Sequence, residues 1–459
     1  MSRQPSAFPA PKTLGPVETY GANLQRSMSL MANSTGLKRN TVRILFYGQS
    51  ITVAEWTKVV AGRLRRQYPL VDFVIENRAI PGFNAFFLEK TAEADLYPFY
   101  PDLVIFQNYD HGSGEHYENI IRRIRERTAA DLLIATDHLA PHLGETMQEE
   151  TDPLKLTKPK PGVHDAPWRN RVVLPAVAKQ YGAELADVRA LWKQYLNDHK
   201  LKPSDLLLDG LHLNAQGNYL MAEIILAHLR HRPDLTEATE DDRVKTYTIG
   251  EERDLQWKNG KLILHFEGNK IDLICKDGTA SPAAIRIDGK KPSEFPELYV
   301  PSRVEMDVPR GYLIPPLLLI KSEKPRIVEN WQIKMTGVRE AVPRFRAIGS
   351  VTGDDGEGEV GKRFVSKSGR VVLDPDAFHL AFALQLSRNQ MVDEIVASWR
   401  VVPYFADEFL VPATRNPFGD TVVIAAQGLS NGRHTLEITG GPDTPLAAIR
   451  VHRPPLARQ

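Results

Sequence analysis

The hydrophobic period of this chain changes once, and that change constrains the fold more than any other feature. From residue 41 to about residue 230, short apolar runs alternate with helical stripes; beyond residue 243 the spacing drops to two. Between the halves lies "HRPDLTEATEDDR" (231–243), polar and poor in apolar residues, which reads as a linker. In the first half "VRILFY", "DFVIEN" (72–77), "DLVIFQN" (102–108), "DLLIATD" (131–137) and "AELADV" (183–188) read as strands. Residues 51–67 place Val53, Trp56, Val60 and Leu64 on one helical stripe. "YENIIRRIRERT" (117–128) does the same with Tyr117, Ile120, Ile121 and Ile124, leaving "RIRER" as a solvated face. Residues 167–181 and 215–230 complete the helices. Strands separated by helices predict an α/β fold, a parallel sheet covered on both faces.

The second half is read differently. "KLILHFEG", "KIDLIC", "AIRIDG", "NWQIKMTG", "GRVVLD", "TVVIAA", "RHTLEITG" and "LAAIRV" are short strands, punctuated by turns such as Asp288-Gly289 and Asn431-Gly432. They predict an all-β sandwich or jelly roll, as one unit or as two subdomains. Ahead of the sheet, residues 1–17 are Pro-rich and irregular, and Leu24, Met28 and Met31 mark a short packed helix. The expected plan is an N-terminal extension over 1–40, an α/β domain over 41–235 and a β region over 244–459.

Composition narrows the function classes. With 58 basic and 57 acidic residues the formal net charge is +1, so no global field points to nucleic acid or an anionic membrane. Cys275 is the single cysteine, which excludes an internal disulfide framework and a multi-cysteine metal site. The greasiest run, "YLIPPLLLI" (312–320), is too short for a membrane span and is broken by two prolines. The N-terminus carries no apolar signal core. The expected location is cytoplasmic, or periplasmic or extracellular if an export signal has been removed. The oligomeric state is not legible.

Open α/β sheets bind ligands at the C-terminal ends of their strands. Ser50 stands there after the first strand, in "LFYGQSITVAEW", and Gly82 after the second, in "NRAIPGF". Gln107, Asn108, Tyr109, Asp110 and His111 follow the third. After the fifth comes "LLLDGLHLNAQGNYLMAEI", with Asp209 and His212 ahead of a helix that Asn214 caps. Taken singly, each has a bland reading: Ser50 as a helix N-cap, Gly82 as a turn after Pro81, Asn108 as an Asx turn, His212 as a loop histidine. Taken together they supply one chemistry. A serine hydroxyl needs a base, which His212 can be, and Asp209 can hold the imidazole tautomer. The N–H groups of Ser50 and Gly82 and the amide of Asn108 can converge on an oxyanion.

The set resembles the SGNH (GDSL) hydrolase superfamily. "YGQSIT" is similar to its first block, "IPGFNA" to its second and "LDGLHLNAQG" to its last, over roughly residues 41–230. The resemblance implies a flavodoxin-like three-layer α/β/α domain. It also implies ester hydrolysis by Ser50, His212 and Asp209, with no metal or organic cofactor. Two positions depart from the pattern. Gln49 stands where the family has Asp, and "FQNYDHG" has no glycine before its asparagine, so Asp110 or His111 competes with Asn108 for the third block's place. A G-Q-S opening is also similar to that of sialate and xylan acetylesterases, which implies an acetylated oligo- or polysaccharide as substrate. Gln49, Asp110, His111, Asp137 and His138 are the candidate substrate contacts. "LHFEGNKIDLI", "AAIRIDGK" and "GLSNGRHTLEITG" resemble jelly-roll modules attached to carbohydrate esterases of that superfamily.

The alternatives are a lipase or other acyl hydrolase on apolar esters, a non-catalytic carbohydrate-binding protein, and a transferase or glycosidase on the same scaffold. A glycosidase would need two facing carboxylates, for which Asp110 and Asp137 are the candidates. "DHGSGEH" (110–116), with His111, Glu115 and His116, lacks the spacing of a helical metal site and reads as a loop. Trp168 reads as packing, with stacking on a sugar as the alternative. "GDDGEGEVG" (353–361) reads as an acidic hairpin turn rather than a calcium loop.

Overall fold

The computed structural model describes residues 8–109, 114–160, 162–236, 242–251, 255–278 and 282–457. The chain divides into two compact units. The first comprises Met1–Glu89, Tyr100–Arg125 and Ala130–Asp241; the second comprises Lys90–Phe99, Glu126–Ala129 and Asp242–Gln459.

The first unit is built on strands β1 (Thr41–Gly48), β2 (Asp72–Asn77), β3 (Leu103–Gln107), β4 (Asp131–Ala135) and β5 (Glu184–Ala186). All pair in parallel, in the order β2-β1-β3-β4-β5. This is the flavodoxin-like order, whose crevice opens where the chain reverses direction between β1 and β3. The helices are α1 (Gln25–Ala32), α2 (Ser50–Val53), α3 (Trp56–Gln67), α4 (Ala85–Asp95), α5 (Glu115–Arg127), α6 (Ala166–Trp168), α7 (Leu174–Gln180), α8 (Val188–His199), α9 (Ala215–His228) and α10 (Pro233–Thr236); the ends of α4 and α5, from Lys90 and Glu126 on, count to the second unit. Among the described residues, no helix is long and apolar enough to cross a membrane.

Both faces of the sheet are covered, which is why its strands read as continuous apolar runs. Val42, Ile44 and Phe46 point into a core shared with α1, α3, α8 and α9. Leu24, Met28 and Met31 are buried in the same core, so the segment before β1 packs into this unit. On the opposite face Tyr47 stacks on Phe106 at 5.9 Å, and Phe106 lies 4.7 Å from Tyr117 of α5. The Tyr47 hydroxyl donates to the Leu88 carbonyl of α4 at 2.9 Å, so burying this tyrosine leaves no polar atom unpaired.

Several local expectations differ from what forms. The helix expected over 51–67 breaks at Ala54, which is extended (φ −66°, ψ 167°). Tertiary bonds compensate: the Trp56 indole N–H donates to the Ile51 carbonyl at 2.6 Å and its backbone N–H to Asn218 Oδ1 at 2.9 Å. The helix expected over 167–181 contains a π-helical turn, Arg169–Val173, between α6 and α7. "RIRER" is not a solvated face throughout. Arg125 is buried, and its guanidinium donates to the carbonyls of Tyr181, Ala130 and Gly182, which no periodicity announces.

The second unit is almost entirely antiparallel. Its strands are β6 (Val244–Thr248), β7 (Lys261–Cys275), β8 (Ala283–Ile287), β9 (Tyr299–Pro301), β10 (Glu305–Met306), β11 (Asn330–Thr336), β12 (Arg344–Gly349), β13 (Gly353–Glu359), β14 (Phe364–Val365), β15 (Val372–Leu373), β16 (Glu394–Pro403), β17 (Glu408–Phe409), β18 (Val422–Thr439) and β19 (Leu446–His452). One sheet runs β17-β8-β18-β7-β19-β6 and another β10-β16-β11-β12-β13, with β9 also on β16 and β14-β15 as a separate pair. The stretches read as "KLILHFEG" and "KIDLIC" form one strand, β7, and "TVVIAA" and "RHTLEITG" form one strand, β18. Asn431-Gly432 is therefore no hairpin turn. It lies at a register shift inside β18, because an irregularity in a long strand uses the same residue types as a turn. Asp288-Gly289 does turn the chain: both residues have positive φ, and Ile287 and Lys290 exchange backbone bonds of 2.8 and 2.9 Å. "GDDGEGEVG" is not a turn either. Its first seven residues are strand β13, and Asp355 accepts from the Ser368 N–H and hydroxyl.

The end of β1 is the tightest point near the crevice. A Cβ on Gly48 would lie 1.9 Å from the Gln107 carbonyl oxygen, and its φ is 153°. Gly48→Ala should therefore destabilise the chain by roughly 3 kcal/mol in urea unfolding. Parent-like stability would mean that β1 and β3 separate there at little cost.

Candidate active site

Beyond Gly48 the backbone turns at Gln49 (φ −119°, ψ −154°), whose carbonyl accepts from the N–H of Thr52 at 2.8 Å and of Val53 at 3.0 Å. Gln49 is thus the N-cap residue, without a side-chain cap bond, and Ser50 is the first helical residue. The Ser50 hydroxyl caps nothing. Its Oγ lies 3.0 Å from His212 Nε2. His212 Nδ1 lies 2.8 Å from Asp209 Oδ2, while Asp209 Oδ1 accepts from the N–H of His212 at 2.8 Å and of Leu211 at 3.1 Å. The three-residue spacing of Asp209 and His212 closes a turn in which one carboxylate orders both backbone and ring. With Nδ1–H donating to Asp209, Nε2 carries the lone pair that faces the Ser50 hydroxyl. The His212 N–H, followed by the His212 ring, holds the Asp209 carboxyl down at about 2.

Gly82 sits at an exposed turn tip with φ 75°. Neither its N–H nor that of Ser50 donates to another group among the described residues. Asn108 stands elsewhere. It is fully buried and its Nδ2 donates to the Phe83 carbonyl at 2.9 Å. One of the two amide N–H bonds expected to serve as a third donor is thus spent on the turn that carries Gly82, which Asn108 braces from a buried position. Asp110 and His111 lie outside the described residues.

The candidate substrate contacts after β4 are corrected, since Asp137 and His138 are both fully buried. Asp137 accepts from Arg169 Nε at 3.0 Å, Gln107 Nε2 at 3.2 Å and Asn170 Nδ2 at 3.3 Å. The π-helical turn delivers Arg169 and Asn170 together. Arg169 also donates to the Asn108 carbonyl. Burial pushes the Asp137 carboxyl up and Arg169 opposes it. Asp137 is therefore no partner for a two-carboxylate glycosidase site. His138 Nε2–H donates to the Leu211 carbonyl at 2.8 Å, and its Nδ1 faces the Tyr109 hydroxyl at 3.1 Å. Burial lowers its pKa to about 4, so it is neutral near pH 7, and it braces the loop that carries Asp209 and His212. What hides these residues is Arg189. Fully buried on α8, it donates to the His138 carbonyl at 3.0 Å and pairs with Glu145 at 2.9 Å and Glu149 at 2.5 Å, pinning the chain beyond β4 over them.

Gln49 is not a free substrate group. The ends of its amide lie 3.1 Å from the Phe83 carbonyl oxygen and 3.0 Å from the Tyr109 N–H, and both are satisfied when the NH2 is assigned to the carbonyl and the oxygen to the N–H. Trp168 is half-buried, and its indole nitrogen has no partner among the described residues. His116 pairs with Glu89 at 2.7 Å, and no group of three or more metal-ligating side chains is found among the described residues. Arg169 and Arg189 escaped the sequence reading, which sets Tyr109 at the end of the third strand without a role. Arg189 had one signal, a cation among the buried stripe residues Val188, Leu191, Trp192, Tyr195 and Leu196.

No protein-family model matches this chain, and no curated protein matches it. Solved structures do align with it at low similarity. One is a two-domain esterase active on acetylated mannans, at 15% identity and TM-score 0.38, covering 96% of this chain and 100% of that one. A second is a catalytic mutant of an acetylxylan esterase from Geobacillus stearothermophilus, at 17% and 0.35, covering 43% and 98%. A third is an alpha/beta hydrolase from the metagenome of Lake Arreo, Spain, at 18% and 0.33, covering 41% and 94%.

The buried His138 makes stability depend on pH. Its ordinary value of 6.5 falls to about 4 in the fold, so below pH 6.5 the unfolded chain takes up a proton that the folded chain refuses. Stability therefore drops as pH falls from 6.5 toward 4, by about 2 kcal/mol between pH 7 and pH 5. In His138→Gln this loss should disappear from urea titrations at the two pH values. An unchanged pH dependence would assign it to other groups.

Proposed function

We propose that this chain is a serine esterase of the SGNH type that removes acetyl groups from carbohydrates. One observation carries the reading: an unbroken chain of hydrogen bonds from Ser50 Oγ through the His212 ring to Asp209, at 3.0 and 2.8 Å. It stands at the crevice of a doubly wound sheet, where such sheets bind ligands. Residues 41–235 serve as the hydrolase domain and 244–459 as an accessory β region of the jelly-roll kind.

The reaction follows from these atoms. Ser50 Oγ attacks the ester carbonyl as its proton passes to His212 Nε2, and Asp209 stabilises the imidazolium. The unengaged N–H groups of Ser50 and Gly82 stabilise the oxyanion. His212 returns the proton to the departing sugar hydroxyl, leaving acetyl on Ser50. Water then attacks the acyl-enzyme with His212 as base, releasing acetate and restoring the serine. Asp209 remains charged down to about pH 2, so it orients the ring at any pH where a neutral histidine can act as base. The acetylated-carbohydrate reading rests on the likeness of Gly48-Gln49-Ser50 to sialate and xylan acetylesterase openings.

The test is hydrolysis of a short aryl acetate, a long-chain aryl ester, and acetylated xylan and mannan fragments. Ser50→Ala and His212→Ala should lower kcat on the acetate by about 10⁴–10⁶. Asp209→Ala should lower it by about 10²–10⁴. Acetate release that survives Ser50→Ala removes the mechanism, and a preference for the long-chain ester replaces the substrate class.

A further inference from the structure

Residues 80–83 have the signature of a type II turn: Pro81 and Gly82 are its central residues, Gly82 has φ 75°, and the Phe83 N–H donates to the Ile80 carbonyl at 3.3 Å. In such a turn the middle peptide, which carries the Gly82 N–H, makes no bond of its own. Its direction is set by how the two ends are held. One end is tied to β1, because the Ile80 N–H donates to the Gly48 carbonyl at 3.0 Å. The other end is the Phe83 carbonyl, which accepts from Asn108 Nδ2 at 2.9 Å and, with the Gln49 amide assigned so that both its neighbours are satisfied, from Gln49 at 3.1 Å. In that assignment the Gln49 oxygen accepts from the Tyr109 N–H at 3.0 Å, tying the same turn to the chain beyond β3.

We infer that Gln49 is a positioning residue, whose amide bridges the Phe83 carbonyl and the Tyr109 N–H and thereby aims the Gly82 N–H at the acyl oxygen held by the adjacent Ser50. The inference rests on the esterase reading and deepens it. The position needs a donor and an acceptor on one planar group. A carboxylate there would set an oxygen against the Phe83 carbonyl, acceptor against acceptor, and only its protonated form would restore the bond. That gives a physical reason for an amide beside this nucleophile. Because the Gly82 N–H matters most when charge develops on the oxyanion, disturbing it should appear in kcat rather than in KM.

The experiment compares parent, Gln49→Glu, Gln49→Leu and Ser50→Ala on an aryl acetate from pH 5 to pH 9. Gln49→Leu should lose about 10–100-fold in kcat with KM within about twofold, and its ratio to the parent should not vary with pH. Gln49→Glu should be as impaired at pH 8 and recover toward the parent as pH falls and its carboxyl takes up a proton. A purely structural side chain would give no such recovery, and the near-isosteric Glu keeps the test open if Leu prevents folding. A second readout does not depend on catalysis. Hydrogen exchange at the Tyr109 amide should be about tenfold faster in Gln49→Leu, since its acceptor is gone. Parent-like kcat in the Leu variant, a pH-independent defect in the Glu variant, or unchanged Tyr109 exchange each overturns the inference. If the parent shows no Ser50-dependent hydrolysis, the esterase reading fails on its own, and Tyr109 exchange still decides whether Gln49 forms the bridge.

Discussion

The site depends on the close approach of β1 to β3 at Gly48. No side chain fits there, since even a Cβ would lie 1.9 Å from the Gln107 carbonyl oxygen. That approach brings three chain segments within reach of one another. The Gly48 carbonyl receives the Ile80 N–H and so holds the turn after β2. The Gln107 carbonyl receives the Thr52 hydroxyl at 3.1 Å, anchoring the short helix that begins at Ser50. Gln49, one residue on, spans to Phe83 and Tyr109. A glycine that packs closely is thus what lets the Ser50 turn, the Gly82 turn and the end of β3 share one small volume.

Below this layer the support is polar rather than apolar. Arg169, Asp137, Gln107 and Thr52 form a continuous buried chain of hydrogen bonds beneath the serine turn. Arg189, Glu145, Glu149 and His138 form a second one behind the Asp209–His212 loop. Buried charges of this kind gain little net stability, because desolvation offsets most of their attraction. They are nevertheless directional, and removing one partner leaves an unpaired buried group at high cost. The arrangement favours geometry over stability, which is what the proposed roles of Ser50 and His212, 3.0 Å apart, would require. Exposure divides the labour. Asp209 and His212 are about half-exposed, whereas the residues bracing them are buried.

Much of this was legible in the sequence because its physics is local. The five-stranded parallel sheet follows from apolar runs separated by helical stripes. The Asp209–His212 pair follows from a three-residue turn, and the Asn214 cap from its place ahead of α9, where its side chain accepts from the N–H groups of Gln216 and Gly217. What misled the reading was the assumption that residues just past a strand end face the crevice. Asn108, Asp137 and His138 stand there and are buried: Asn108 is held by Phe83 and Arg169, and the chain beyond β4, tied down by Arg189, runs past His138. The continuity of β7 and β18 was hidden for a related reason: Gly268 and the Gly428–Gly432 stretch have turn composition but lie at irregularities within long strands.

By itself the sequence determined the alternation of strands and helices, the change to an antiparallel second half, and the set of side chains able to perform acyl transfer. Those properties depend on neighbours a few residues apart, where spacing and residue type are enough. Only the tertiary structure decided which polar groups face the crevice and which are braces behind it. That choice depends on contacts between residues far apart in sequence, such as Arg189 with Glu145 or Gln49 with Phe83 and Tyr109, whose strength arises from burial that no local pattern encodes.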